Sequence, residues 1–338
     1  MKSGRPLAAA LLIATLAGAE PARPSSSRWE ESAPLPRGIA GHAAGASGGT
    51  QWIAGGSWWD SDRKRIESGI WRLAATASTW TYVSMIPGGF AHGGWAATPT
   101  ELWLAGGLGE NGVSGKIFRV QFASGSVAQI GRLPEPRVYA GAALLGGVLY
   151  VVGGAVSENE VARASSKWWR ITPGPDDTCT VQAGRNAGPA WINPVVLALR
   201  GELHVLPGGV WSGKRQRLEA PSEAWIYSPT QDRWRQRPLA APLPRGLSGI
   251  ALDDGKALLA GGVETRPDGS ALATTVWIYD AATGAVTAGP ALPTGRLAGA
   301  LTTEGCDVWL LGGEDRARSR TATTWHWRRP DTAQGDAR

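Results

Sequence analysis

The sequence contains few of the residues that build metal centres and disulfide-bonded scaffolds. Its 338 residues include two cysteines and four histidines, and 18% of the residues carry a charge. The histidines lie far apart in the chain and show no spacing typical of metal ligands. We therefore expect neither a metal site nor a cofactor.

Long apolar runs are absent as well, which argues against a membrane-spanning helix. Residues 7–16 form a short apolar segment that follows Lys2 and Arg5 and precedes the small residues Ala17-Gly18-Ala19. This order is typical of a secretory signal peptide. It predicts that residues 1–19 are removed and that the chain is exported, in a bacterium to the periplasm, with no membrane contact after cleavage.

The chain lacks a concentrated basic region although its net charge is +6. Nucleic-acid binding would require a basic patch, so we expect no nucleic-acid partner. A mild excess of positive charge either favours a small anionic ligand or has no functional meaning. Arg63, Lys64 and Arg65 form a short basic run, which is typical of a solvated loop.

Glycine, in contrast, is abundant, and a double glycine after apolar residues recurs six times. The first glycines of these pairs lie 51, 47, 55, 53 and 51 residues apart: Gly55, Gly106, Gly153, Gly208, Gly261 and Gly312. A period of about 50 residues is typical of kelch repeats, in which each repeat forms one propeller blade. The sequence thus predicts an all-β, six-bladed kelch-type β-propeller over residues 28–330, followed by a polar tail at residues 331–338.

Each repeat reads as four short strands with glycine, proline and polar residues between them. The second strand ends in the double glycine, and the third carries an aromatic residue: Trp71, Phe118, Trp169, Trp225, Trp277 and Trp325. The last repeat has no fourth strand after Trp325. We expect the N-terminal segment around Trp29 to pair into that blade and close the ring. Cys179 and Cys306 then fall in opposite blades and should be free, small and buried.

The repeats also resemble a particular family. RGIAGHAAGASGGTQWIAGG, at residues 37–56, and VWLLGGEDRARSRTATTWHW, at residues 308–327, resemble blades of the bacterial N-acetylneuraminate mutarotases, also called epimerases. Their order is similar to that of the cyclically permuted group. The resemblance implies an isomerase of carbohydrate metabolism, with Glu314 and, six residues later, Arg320 as catalytic residues. The fourth repeat departs from the pattern, since WINPVVLALRGELHVLPGG lacks the small, polar first strand.

The residues themselves suit this chemistry. Mutarotation needs a group that is both base and acid, and one carboxyl group suffices when its pKa lies near the working pH. Glu314 directly follows a double glycine, so we expect it near a channel mouth. Arg320 can bind a substrate carboxylate through two parallel hydrogen bonds and keep Glu314 ionised. A plain surface ion pair is the other interpretation of this spacing.

Further candidates lie near the starts of the first strands. The predicted substrate-binding residues are Arg37, His42, His92, Arg137, Tyr139, Arg245 and Arg296. Four of them are arginines at strand entries, which suggests either a ring of cations for an anionic ligand or simple solvation of strand ends. Trp58, Trp59 and Trp211 follow double glycines, and they either stack on a sugar or pack against neighbouring blades.

Two functions remain open from the sequence. The first is an exported mutarotase acting on N-acetylneuraminate or a related acidic sugar. The second is a non-catalytic propeller that binds a protein or a glycan through its loop face. A copper oxidase is poorly supported, because neither cysteine lies in a suitable motif.

Overall fold

The computed structural model describes residues 28–185, 189–252, 255–266 and 269–330. These residues form β-strands and loops, with one short 3-10 turn at Val161–Arg163. Within these ranges no helix has the length and apolar character needed to cross a membrane. The predicted signal peptide and the predicted polar tail both lie outside the described residues.

The strands follow one another at short intervals. In the N-terminal part they are β1 (Glu30–Ser32), β2 (Ala43–Ser47), β3 (Thr50–Ala54), β4 (Ser57–Asp60), β5 (Arg63–Ile66), β6 (Gly69–Leu73), β7 (Thr81–Met85), β8 (Gly94–Ala97), β9 (Glu101–Ala105), β10 (Leu108–Gly109), β11 (Gly112–Val113), β12 (Lys116–Gln121) and β13 (Val127–Arg132). In the central part they are β14 (Val138–Leu145), β15 (Val148–Ala155), β16 (Trp168–Pro173), β17 (Cys179–Ala183), β18 (Trp191–Ile192), β19 (Val195–Leu199), β20 (Glu202–Leu206), β21 (Gly209–Ser212), β22 (Arg217–Glu219), β23 (Glu223–Ser228) and β24 (Arg233–Pro238). In the C-terminal part they are β25 (Ser248–Ala251), β26 (Lys256–Ala260), β27 (Val263–Arg266), β28 (Gly269–Leu272), β29 (Val276–Asp280), β30 (Val286–Ala288), β31 (Ala300–Glu304), β32 (Asp307–Leu311) and β33 (Thr324–Arg328).

Six four-stranded antiparallel sheets form the blades of a β-propeller. From the innermost strand outwards they are β2-β3-β6-β7, β8-β9-β12-β13, β14-β15-β16-β17, β19-β20-β23-β24, β25-β26-β29-β30 and β31-β32-β33-β1, here called blades 1 to 6. Each innermost strand contacts the innermost strands of both neighbouring blades, including β31 with β2, so the ring is closed. The predicted fold class is thereby confirmed.

The N-terminal strand closes the last blade, as predicted. β1 pairs antiparallel with β33, with Glu31 opposite Trp325. Trp29, just before β1, is 4% exposed and packs against Trp327 with ring centroids 5.8 Å apart. Its indole N–H donates to the carbonyl of Pro290 in blade 5 at 2.8 Å. Burial of a tryptophan at this junction ties the two ends of the described chain together.

Apolar clusters fill the gaps between neighbouring blades. Between blades 2 and 3, for example, Ile117, Leu149 and Val151 pack around Trp169, and each of them is almost inaccessible to solvent. The predicted aromatic residues all lie on third strands, where they contribute to these clusters. Large aromatic side chains account for much of the area that such interfaces bury.

The double glycines have the backbone role that their repetition predicts. Both glycines have positive φ in five of the six pairs, and blade 4, with Gly208 and Gly209, is the exception. A Cβ on Gly55 would lie 2.1 Å from the carbonyl oxygen of Phe90 in the next blade. Only glycine permits both this conformation and this close approach. Cys179 and Cys306 are free, as expected, but both are half-buried rather than buried.

Candidate active site

A ring of left-handed residues surrounds one mouth of the central channel. One residue lies at or just before the start of the innermost strand of each blade, with φ of 68°, 53°, 62°, 49°, 69° and 53°: Gly41, His92, Tyr139, Asn193, Gly246 and Ala298. Their backbones form hydrogen bonds from blade to blade. Gly41 N–H donates to Ala298, His92 to Gly41, Tyr139 to His92 and Asn193 to Tyr139, at 2.7–2.8 Å. We call these six residues the mouth ring, and it fixes the backbone positions of His92, Tyr139 and Asn193.

Glu314 and Arg320 meet beside this ring, as their spacing predicted. The backbone of Glu314 forms two hydrogen bonds with that of Leu297, at 2.7 and 3.0 Å, which hold it next to Ala298. The chain then leaves the sheet and returns, so that Arg320 Nη1 lies 3.0 Å from Glu314 Oε1. The Arg320 side chain is 6% exposed and that of Glu314 is 20% exposed. The pair is thus mostly buried, and about a fifth of the Glu314 side chain remains exposed to solvent.

Burial shifts the titration of this pair. Desolvation raises the pKa of Glu314 above its ordinary value, and the charges of Arg320 and Lys64 partly oppose this rise. Desolvation also lowers the pKa of Arg320, which the charge of Glu314 counteracts. A carboxyl group with a raised pKa exchanges protons more readily near neutral pH than an exposed one.

Tyr139 and His92 are neutral neighbours of the pair. Their rings lie 5.6 Å apart, edge to face. Burial, with the charges of Glu158 and Glu314, raises the pKa of Tyr139 to about 12, so it is a protonated phenol at neutral pH. Burial, followed by the charges of Lys64 and Arg320, lowers the pKa of His92 to about 3. Its Nε2 lies 3.1 Å from Ser57 Oγ, which fixes the orientation of the imidazole.

His42 also lies at this end of the channel. It is 2% exposed, and burial lowers its pKa to about 3, so it too is neutral at pH 7. Within the described ranges neither of its ring nitrogens has a hydrogen-bond partner. A Cβ on Gly312 would lie 3.2 Å from His42 Cε1, so the imidazole fits because the double glycine of blade 6 leaves room for it.

The four predicted arginines are not brought together. Arg137 is 2% exposed, pairs with Glu135 at 2.5 Å and lies over the Trp169 ring at 5.0 Å. Arg296 is also buried, at 3% exposure. Arg245 is half-buried and makes one long contact with Thr265, at 3.4 Å.

Arg37, the fourth of them, is exposed and lies 4.5 Å from the centroid of the Trp58 ring. The positions of Arg137 and Arg296 have a structural explanation. Both lie two residues before the mouth ring, like Ile39 and Phe90, and the carbonyls of all four accept a hydrogen bond from the second glycine of the preceding blade. Side chains at this position face the neighbouring blade rather than the channel.

Lys64 is a neighbour of the site that the sequence interpretation placed in a solvated loop. It lies on β5, which pairs with β4 after the first double glycine, and it is directly opposite Trp59. Its ammonium group pairs with Glu158 of blade 3 at 2.5 Å. Strict alternation of outward and inward side chains along a hairpin was the signal that could have found it.

The channel itself holds a cavity of about 460 Å³. The six innermost strands line it mainly with glycine, alanine and leucine, and His42, His92 and Asn193 lie at the mouth end. In the part of the chain that the structure describes, no group of three or more histidine, cysteine, aspartate or glutamate residues is placed to hold a metal ion. Glu314 and Arg320 lie next to the mouth end of this cavity, beside Ala298, which lines it.

Known proteins were compared with this chain by sequence and by structure, and the structural comparison agrees with a β-propeller fold. Comparison with protein-family models and with curated protein sequences gives no match. Among solved structures, the chain is similar to that of YjhT, with a TM-score of 0.68, and the match covers 87% of this chain and 95% of that chain at 14% identity. A likeness at this identity concerns the fold alone, and it agrees with the β-propeller described above.

Proposed function

We propose that this protein is a sugar mutarotase that acts on N-acetylneuraminate or a related acidic sugar, with Glu314 as its general acid and base. The observation that carries the proposal is the Glu314–Arg320 pair, 3.0 Å apart, largely buried and next to the mouth ring. The kelch-like repeats, their permuted order and the resemblance of the last blade to the mutarotase family support it, as does the likeness of fold to YjhT. Export through residues 1–19 belongs to the same proposal.

The reaction needs only proton transfers. A base removes the proton of the anomeric hydroxyl, a carbonyl forms, and the bond between the anomeric carbon and the ring oxygen breaks while that oxygen gains a proton. Closure on the other face reverses these steps, so no oxidant or cofactor is consumed. One carboxyl group that accepts the first proton and returns one supplies this chemistry, and such catalysis accelerates reactions by about 10²- to 10⁴-fold.

The neighbours of Glu314 suit this role. Arg320 holds the carboxylate ionised and offers guanidinium N–H groups to an acidic sugar. Tyr139 and His92 are uncharged at neutral pH, so they can exchange hydrogen bonds with sugar hydroxyls without adding charge. Trp59, with Arg318 and Arg320 on its ring at 5.7 and 6.0 Å, closes one side of the site.

A non-catalytic propeller is the second candidate. A paired and mostly buried glutamate is also what a structural ion pair would show, and the exposed Arg37 over Trp58 resembles a surface that binds a glycan or a protein. The two candidates differ in one respect. An enzyme depends on the proton-transfer capacity of Glu314, whereas a binding surface depends on its shape.

Proton NMR of freshly released α-N-acetylneuraminic acid at near-neutral pH tests the proposal. We expect the protein to accelerate the approach to the β anomer and Glu314→Gln to lose at least about 100-fold of that acceleration. Glu264→Gln is the matched control, because Glu264 follows the double glycine of blade 5 and pairs with Arg266 at 3.1 Å. Equal rates with and without the wild-type protein would exclude sialic acid mutarotation and leave either another acidic sugar as the substrate or the binding propeller.

A further inference from the structure

The hairpin of β4 and β5 has two chemically different faces. Because side chains alternate along a strand, Ser57, Trp59, Lys64 and Ile66 share one face. Ser57 contacts His92, and Ile66 packs in the cluster that contains Tyr139, so this face is turned to the mouth. The other face carries Arg65, which is exposed and pairs with Asp60 at 2.9 Å. The basic run is therefore divided, with one lysine inside and its neighbours outside.

Lys64 reaches across the mouth. Its partner Glu158 belongs to the loop between β15 and β16 of blade 3. The ion pair therefore joins blades 1 and 3, which are not neighbours in the ring. On its own hairpin Lys64 lies opposite Trp59, whose ring also carries Arg320. The charge of Lys64 lowers the pKa values of both Glu314 and His92, which places it within electrostatic reach of the catalytic pair.

The two ion pairs at the mouth differ in how firmly they are held. The Lys64–Glu158 pair is 22% and 36% exposed, compared with 6% and 20% for Arg320 and Glu314. Partly exposed pairs of this kind contribute only about 0.2–1 kcal/mol, so replacing one partner costs little. Because both partners are partly exposed to solvent, the carboxylate of a ligand can reach Lys64 and replace Glu158.

Resting on the proposed function, we propose that Lys64 is a substrate-binding residue that exchanges Glu158 for the carboxylate of the acidic sugar. In the unliganded protein Glu158 acts as an internal stand-in for that group. When the sugar binds, its carboxylate lies between Lys64 and Arg320, Glu158 moves to solvent, and the anomeric centre is directed towards Glu314. Selectivity for acidic over neutral sugars follows from this exchange.

Binding measurements on the full chain test the exchange, with N-acetylneuraminate and its methyl ester as probes. A hydrogen bond to a charged group contributes about 1.5–3 kcal/mol, so Lys64→Gln should raise Kd for the acid by about 10- to 100-fold. It should leave Kd for the neutral ester unchanged. Glu158→Gln removes the internal competitor and should lower Kd for the acid by about two- to fivefold. Arg65→Gln, on the other face of the hairpin, is the matched control.

The opposite signs separate this role from a structural one. If the Lys64–Glu158 pair only held the hairpin in place, both substitutions would weaken binding of acid and ester alike, and the proposal would be wrong. Thermal unfolding checks that Lys64→Gln is folded, and Lys64→Arg should retain most of the affinity. If the wild-type protein neither binds nor interconverts the acid, both the proposed function and the carboxylate exchange are wrong. If the wild-type protein is active and Lys64→Gln binds the acid as tightly as the wild type does, only the carboxylate exchange is wrong.

Discussion

Blades 5 and 6 share the same four-stranded framework and differ in the segment after the double glycine. In blade 5 the chain continues as the hairpin of β27 and β28, where Glu264 and Arg266 form an ion pair that is 28% and 53% exposed. In blade 6 the chain forms no such hairpin, and Arg320 folds back onto Glu314 with 6% of its side chain exposed. The β27–β28 hairpin thus keeps its ion pair largely exposed, whereas the irregular segment of blade 6 returns Arg320 to Glu314 beside the mouth ring.

The two blades also obtain their outer strands differently. β30 follows β29 along the chain, but β1 of blade 6 comes from the N-terminal end and is anchored by Trp29. The blade with the candidate chemistry is thus the one whose completion needs both ends of the described chain. The four-stranded sheet of blade 6 and the segment that carries Glu314 and Arg320 can therefore be tested by separate substitutions.

The largest effect is expected at the outer strand of blade 6. Trp29→Ala should destabilise the protein by about 3–5 kcal/mol, because it removes a buried tryptophan and leaves a cavity between blades 5 and 6. Val286→Ala in β30 is the corresponding change in blade 5 and should cost only about 1 kcal/mol, since that valine is half-buried. Urea unfolding measures both. Equal costs would show that closure of the ring adds little to stability.

Arg320→Gln should affect activity and its pH dependence together. Losing a charged hydrogen bond should lower kcat/KM by about 10- to 100-fold. Since Arg320 lowers the pKa of Glu314, its removal leaves desolvation less opposed, so the acidic limb of the pH–rate profile should move to higher pH. Arg318→Gln is the control, because Arg318 lies over the same Trp59 ring. A profile that stays in place would contradict the assignment of Glu314 as the base.

His42→Leu should change how stability depends on pH. Blade 5 has Leu247 at the corresponding position, directly after the mouth-ring residue Gly246. The pKa of His42 is about 3 in the folded state and 6.5 in its ordinary state. Below pH 6.5 the unfolded chain therefore binds a proton that the folded chain does not, and stability is lost as pH falls towards 3.

From pH 7 to pH 5 this loss amounts to about 2 kcal/mol for one such histidine. The leucine variant should lose about that much less stability than the wild type over the same interval. Urea midpoints at both pH values give the difference. Parallel curves for the two proteins would mean that His42 is protonated in the folded state.

The smallest effect is expected at the mouth ring, where blade 5 has Gly246 and blade 6 has Ala298. Gly246→Ala introduces a side chain at φ 69° and should cost about 1–2 kcal/mol. Its Cβ would have one tight neighbour, Leu297 Cδ1 at 3.0 Å, which a side-chain adjustment relieves. Ala298→Gly should relieve strain and be neutral or slightly stabilising. Chemical unfolding of both variants checks the pair, and an unfolded Gly246→Ala protein would show that the ring cannot accept a side chain in blade 5.

Much of this architecture could be predicted from one repeated feature. The double glycines recur because neighbouring backbones approach too closely for a side chain, so their spacing reports the blades directly. The proximity of Glu314 and Arg320 was predictable for a related reason. The double glycine fixes the position of Glu314, and Arg320 follows it only six residues later. The missing outer strand after Trp325 likewise indicated where the N-terminal segment pairs.

The features that the sequence did not predict depend on the direction in which a side chain faces. Arg137 and Arg296 look like residues of the mouth, but they lie two positions before the mouth ring, where the backbone directs side chains between blades. Lys64 looks like part of a solvated run, yet hairpin register turns it inwards. Glu158 lies in a loop without a repeated pattern, so its pairing with Lys64 follows only from the folded chain.

The pairing of β1 with β33 has a consequence for the order in which the protein matures. The first described strand to leave the ribosome is the last to find its partner, since β33 is the last described strand to be made. Until then Trp29 has no pocket, and the irregular segment with Glu314 and Arg320 lacks the finished sheet behind it. Blade 6, the blade that carries the Glu314–Arg320 pair, is therefore completed only when the first described strand meets the last.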